Sequence, residues 1–214
     1  AGADAVHPGY GFLSENDDFA RLCEKNKINF IGPSADSMNL CGDKMECKAA
    51  MLKAEVPTVP GSPGLVKDAA EAEKIANDIG YPVLLKSVYG GGGRGIRLVT
   101  NDQELREGFE TVTSESIAAV GKSAIIVEKF LEKTRHIEYQ MCRDHHGNAV
   151  HLFERECSIQ RRNQKLIEQT PSPVVDAETR ERIGELVVRA AEAVDYTNLG
   201  TAEFLRADSG EFYF

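Results

Sequence analysis

The residues best placed to do chemistry are Lys86-Ser-Val-Tyr-Gly90-Gly-Gly-Gly-Arg94-Gly95, where a basic residue ends an apolar run and a loop almost without side chains follows. Glycines tolerate positive φ and let backbone N–H groups close on an anion, so such a loop can wrap phosphate oxygens while Lys86 adds a point charge. Gly90, Gly92 and Gly95 satisfy G-x-G-x-x-G. A dinucleotide fingerprint, however, needs a helix next, and Ile96-Arg-Leu-Val99 reads as a strand. No Gly-Lys-Ser/Thr closes the loop, which excludes a Walker motif. Strand, glycine flap and strand predict a hairpin folding over a nucleotide; the alternative is a surface turn.

Three other places carry candidate chemistry. Gln160-Arg-Arg-Asn163-Gln-Lys165 concentrates basic and amide groups in what reads as a loop after a strand, suited to a small oxyanion. Arg135 to Met141 alternates with period 2, placing Ile137, Tyr139 and Met141 on one face and His136, Glu138 and Gln140 on the other. Glu203 lies in Thr201-Ala-Glu-Phe-Leu205, where a strand carboxylate can hold Mg²⁺ against nucleotide phosphates or simply face solvent.

The elements that position these groups follow from periodicity and punctuation. An opening strand leads through a turn to a helix over about 15–25, capped by Ser14, then a short strand at 29–31: the tail of a parallel α/β unit. A helix is expected over about 43–55, then a Pro/Gly linker at 57–64 that marks a boundary. Next come a helix over 68–79, strand 81–87, strand 95–100, a helix from 102 and strand 124–130. Strands 135–141 and 149–154 meet through the turn His145-His-Gly-Asn148. Asp176 caps a helix with the apolar stripe Ile183, Leu186, Val187, Ala190 and Val194. Strand 201–205 turns through Asp208-Ser-Gly210 into Glu211-Phe-Tyr-Phe214. With no initiator Met and a last strand broken off, the chain reads as a piece of a longer protein.

The 214 residues are 42% hydrophobic and 28% charged with net charge −9, the balance of an ordinary globular protein. That charge argues against nucleic acid or a membrane surface as partner, so an anionic ligand must be met by local cations. The five cysteines form no C-x-x-C pair and no metal-ligand spacing with histidine, as expected of reduced thiols in a cytosolic-type compartment.

Read in order, His7-Pro-Gly-Tyr-Gly-Phe-Leu-Ser-Glu-Asn16, Gly42-Asp-Lys44, the Lys86 glycine loop, Glu128-Lys-Phe130, Arg135-His-Ile-Glu138 and Glu156-Cys-Ser-Ile-Gln-Arg-Arg-Asn-Gln-Lys165 resemble the biotin carboxylase component of the biotin-dependent carboxylases, an ATP-grasp family. The resemblance covers essentially the whole chain. It implies an α/β (α+β ATP-grasp) fold: residues 1–43 as the tail of a parallel α/β domain, and 44–214 as an ATP-grasp domain with a glycine-rich lid over about 58–130. The implied reaction is ATP-dependent activation of bicarbonate to carboxyphosphate, which carboxylates biotin on a carrier protein. By resemblance Lys44, Lys86, Gly92, Gly93 and His136 serve the phosphates, and Glu128, Lys129, Phe130 and Leu131 the adenine, through backbone N–H and C=O of Lys129 and Leu131. Gln160 and Asn163 approach the ribose, Lys165 holds bicarbonate, and Glu203 binds Mg²⁺ or Mn²⁺. Implied partners are a biotin carboxyl carrier domain, a carboxyltransferase subunit and a second copy in a homodimer, in cytoplasm or mitochondrial matrix. Asn163 hints at a propionyl-CoA-type rather than an acetyl-CoA-type enzyme. Pyruvate carboxylase, carbamoyl-phosphate synthetase and a non-catalytic nucleotide-binding module are the rival readings.

Overall fold

The computed structural model describes residues 2–88, 95–162 and 164–214, with 119 and 120 as backbone only. The chain forms two compact units, Val59–Glu132 and one made of Ala1–Thr58 with Lys133–Phe214, called inner and outer by their order along the chain alone.

The outer unit opens with β1 (Ala5–Val6), α1 (Asp17–Lys25) and β2 (Asn29–Phe30), the two strands parallel. Asn16, not Ser14, caps α1: its side chain accepts from Phe19 N–H at 2.7 Å. Phe12–Glu15 form a 3₁₀ turn, and Ser14 Oγ is used inside it, donating to the Gly11 carbonyl at 3.0 Å. Two further helices follow, α2 (Ala35–Gly42) and α3 (Lys44–Lys53). The sequence pattern carries no signal for α2, because Asp36, Ser37, Asn39, Cys41 and Gly42 are weak helix formers. Asp43 separates the helices at ψ 106° and caps α3 by accepting from Met45 and Glu46 N–H.

The inner unit contains α4 (Ala69–Ile79), β3 (Val83–Ser87), β4 (Ile96–Val99), α5 (Asp102–Val120) and β5 (Ile125–Lys129). Its antiparallel sheet has the order β4-β3-β5. Alternation turns Val83 and Leu85 into a core with Val99, Ile125 and Val127, covered by Ala72, Ala76, Leu105 and Phe109 of the helices. Gly108 is where α5 comes closest: a Cβ there would lie 3.1–3.2 Å from Arg97, Leu85 and Val99 side-chain atoms. The expected hairpin is present, β3 and β4 pairing from Val83↔Val99 to Lys86↔Ile96. The expected phosphate cradle, Gly90 to Gly93 with Arg94, lies outside the described residues.

The outer unit resumes with β6 (Arg135–Arg143), β7 (Ala149–Arg161), β8 (Gln164–Gln169), α6 (Ala177–Ala193), β9 (Asn198–Arg206) and β10 (Phe212–Tyr213). The sheet order is β10-β9-β6-β7-β8, antiparallel throughout. The α6 stripe packs with Ile137, Tyr139, Met141, Ala202 and Phe204 in one core. As expected, Asp176 caps α6, accepting from Thr179 N–H at 2.8 Å. Residues 160–165 are not a loop: β7 runs on to Arg161 and β8 starts at Gln164, with Gln160 opposite Lys165 and Ile159 opposite Ile167. Arg162 turns the chain at φ +52°. Basic and amide side chains, which read as loop composition, here occupy two neighbouring strand ends. Among the described residues, no helix is long and apolar enough to cross a membrane.

Candidate active site

α6 covers one face of the five-stranded sheet. The other face presents the polar half of β6, as the alternation predicts, flanked in register by β9 and β7: Glu138 lies opposite Glu203 on one side and Arg155 on the other. Cross-strand partners share a face, so topology alone gathers these charges.

Lys165 is central to the cluster. Its Nζ pairs with Glu138 and, at 2.8 Å, with Glu203 Oε1. Arg155 Nε donates to the other Glu138 oxygen at 2.7 Å, and its Nη1 to Gln140 Oε1 at 3.1 Å. Glu138 is only 4% exposed. Burial would raise its pKa, but Lys165 and Arg155 together hold it below the usual carboxylate range. For Lys165, burial favours the neutral amine and is outweighed by Glu138 and then Glu203, so the ammonium persists. Glu203 is held at about 2, by His136 first and by Lys165, against its partial burial. Cys157 is pushed up to about 12 by burial and by Glu138 and Glu168, leaving an inert thiol.

His136 borders the cluster. Its Nδ1 is 3.2 Å from Gln160 Nε2, and its Nε2 is 3.6 Å from Glu203 Oε1. Nε2 is buried and makes no hydrogen bond among the described residues. Donor atoms of His136, Glu138 and Glu203 lie within 4.8 Å of one another. An ionised, half-exposed Glu203 beside further polar donors fits a hard divalent cation, which takes one or two protein carboxylates and completes its shell with phosphate and water.

Lys165, His136, Gln160 and Glu203 are thus brought together, whereas Asn163 lies outside the described residues. Glu138 and Arg155 are site residues that sequence reasoning did not single out. The period-2 pattern already put Glu138 beside His136; its near-complete burial required the fold.

In the inner unit, Lys86 and Glu128 pair on the sheet face opposite α4 and α5. Lys129 acts as a brace, its Nζ donating to the carbonyls of Gly80 at 2.8 Å and Tyr81 at 2.9 Å. Its backbone N–H donates to Pro60 at 2.7 Å, and Phe130 N–H to Pro82 at 3.1 Å. The expectation that the Lys129 amide reads adenine is therefore narrowed to the Lys129 carbonyl and the groups of Leu131. Lys44 is the exposed first residue of α3. Gly92 and Gly93 lie outside the described residues.

Residues 43–214 match the family model described as carbamoyl-phosphate synthase L chain, ATP binding domain, and residues 1–38 that of the biotin carboxylase N-terminal domain. The chain is 52% identical over 212 residues to biotin carboxylase of a Nostoc species, covering 99% of this chain and 47% of that one. It is equally 52% identical to the 2-oxoglutarate carboxylase small subunit of Hydrogenobacter thermophilus, covering 100% of this chain and 45% of the relative. The chain therefore spans less than half the length of these relatives. A crystal structure of the latter enzyme's biotin carboxylase domain, a dimer with MgADP, ADP and bicarbonate, superposes with TM-score 0.85 over 100% of this chain and 47% of that one, at 52% identity. With these matches, the two antiparallel sheets and their helices are those of an ATP-grasp fold, and the chain belongs to the biotin carboxylase family.

Proposed function

We propose that the protein carrying this chain is a ligase that uses ATP and bicarbonate to carboxylate biotin on a carrier domain. A bicarbonate oxygen attacks the γ-phosphorus and ADP leaves; carboxyphosphate then breaks into CO₂ and inorganic phosphate, and N1′ of biotin takes the CO₂ as its proton passes to that phosphate. A carboxyltransferase subunit then passes the carboxyl group on, to an acyl-CoA of the acetyl- or propionyl-CoA type. The working form is a homodimer in cytoplasm or mitochondrial matrix. Residues 1–43 belong to the N-terminal α/β domain and 44–214 to the ATP-grasp domain, with a lid over about 58–130.

The observation that carries this reading is Lys165, an ammonium kept charged and aimed by two carboxylates on the open face of the sheet. Such a group orients a small oxyanion, and bicarbonate is the one its family uses. Lys44, Lys86 and His136 offset phosphate charge that grows during transfer. Glu128, the Lys129 carbonyl, Phe130 and Leu131 serve the adenine, and the glycine run including Gly92 and Gly93 closes on phosphate. Gln160 and Asn163 would serve the nucleotide. Glu203 would hold Mg²⁺ or Mn²⁺, which would supply charge neutralisation at the phosphates.

The test is Lys165→Gln, which keeps a donor and removes the charge. ATP affinity should stay near wild type, while bicarbonate-dependent ATP cleavage and biotin carboxylation fall about a hundredfold or more. A variant that binds ATP poorly but carboxylates normally at saturating ATP would place Lys165 with the nucleotide instead.

A further inference from the structure

We propose that Gln160 is a positioning residue that fixes the ring tautomer of His136, so that this histidine presents Nε2–H to the bound anion. The claim deepens the reading above, on which it rests only for the identity of that anion.

The Gln160 amide has a defined orientation. Its Nε2 lies 2.9 Å from the Cys157 carbonyl oxygen. A carbonyl can only accept, so the nitrogen and not the oxygen of the amide must face it. The same NH₂ group has a second hydrogen, and it meets His136 Nδ1 at 3.2 Å. Nδ1 therefore accepts, and a neutral imidazole whose Nδ1 accepts carries its proton on Nε2.

The backbone under the ring is fixed independently. The β6–β7 pairing runs no further than Ile137↔Glu156, and just past it the β7–β8 register shifts between Glu156 and Ile159. Where a ladder carbonyl would receive the His136 N–H, Ser158 Oγ receives it at 2.8 Å. Ser158 Oγ in turn donates to Glu156, which is 6% exposed, and Ser172 Oγ donates to the other Glu156 oxygen at 2.9 Å. His136 is thus gripped at its amide and at Nδ1, whereas its Nε2 makes no hydrogen bond among the described residues. That atom is buried, and the Glu203 carboxylate, whose ionised form the ring favours, stands 3.6 Å away, beyond hydrogen-bond distance. A buried donor without an acceptor is a group waiting for one, and a phosphate or carbonate oxygen supplies it. Gln160 then acts through His136 rather than on the ribose.

The tautomer can be read without turnover, from ring ¹⁵N shifts of the histidine-labelled protein free of nucleotide, with His136 identified by its loss in His136→Gln. Protonated Nε2 and bare Nδ1 are expected. Gln160→Leu should move both toward the tautomer average, and Gln160→Glu, which can only accept, should put a proton on Nδ1. Wild-type protein with Nδ1 protonated, or shifts indifferent to residue 160, would overturn the proposal. In turnover with ATP, bicarbonate and biotin, Gln160→Leu should lower kcat about tenfold or more, as orienting partners of site histidines do. The same change should cost little in His136→Gln, whose amide brings its own donor. A loss of equal size in both backgrounds, or one that appears in KM for ATP and vanishes with 2′- and 3′-deoxy-ATP, would return Gln160 to the ribose. A wild-type protein that carboxylates no biotin would sink the functional reading and leave the ring shifts to decide the tautomer.

Discussion

Glu203 is ionised over the whole physiological range, because His136 and Lys165 hold it at about 2 against an ordinary value of 4.5. A carboxyl depressed on folding adds stability above its unfolded pKa, and that contribution is lost as pH falls from about 4.5 to about 2. Glu203→Gln should therefore lower the melting temperature at pH 7 by a small amount, about 2 °C for so exposed a pair. The gap to wild type should narrow below pH 4.5 and close near pH 2; a gap unchanged in acid would contradict the assignment. Cys41 offers a second handle. It is exposed, and its pKa is lowered to about 7 by the neighbouring Cys47 thiol, whose own pKa is raised by the same contact. Alkylation by iodoacetamide should label Cys41 first, with a midpoint near pH 7, while buried Cys47 and Cys157 react slowly. At this scale the sequence disclosed types better than neighbours. His136, Lys165 and Glu203 were legible as candidates, since basic and acidic groups on strands invite a role. That Lys165 lies between Glu138 and Glu203 depends on the β6–β9 and β7–β8 registers, which no local pattern encodes.

At the scale of elements, Gly108 sets how near α5 can sit to its sheet. Gly108→Ala gains about 1 kcal/mol of helix propensity, but the new Cβ meets Leu85 and Val99 at 3.2 Å. Overpacking of this kind costs about 1–3 kcal/mol, so the net expectation is a loss near 1 kcal/mol in denaturant unfolding. A stabilised variant would mean that the helix shifts freely. Asp43→Ala removes both contacts at the start of α3 and should cost about 1 kcal/mol, seen as a lower melting temperature. Elements with strong periodicity were legible: α6 from its apolar stripe, β6 from its alternation, the β3–β4 hairpin from two apolar runs around glycines. Those that escaped lack such signals. α2 is built from weak formers, and the strand ends within 160–165 were hidden because every residue of that segment is basic or amide.

For the molecule as a whole, the arrangement of Val59–Glu132 as one block inside the chain of another predicts separable unfolding. Each unit has its own core, so hydrogen exchange in denaturant should show two cooperative groups of amides. One common opening energy for β3 and β6 would argue for a single cooperative body. The nesting also has a consequence for synthesis. Everything the inner unit needs has been made once residue 132 is in place, whereas the outer unit at that moment holds only β1, β2 and three helices, with its five strands and α6 still to come. Although its first residues leave the ribosome earlier, the outer unit is the later of the two to close. Until β6 to β10 arrive, Cys47, Met51 and Val56 have no sheet to pack on, and this early segment is the one that most needs shelter while the chain is growing.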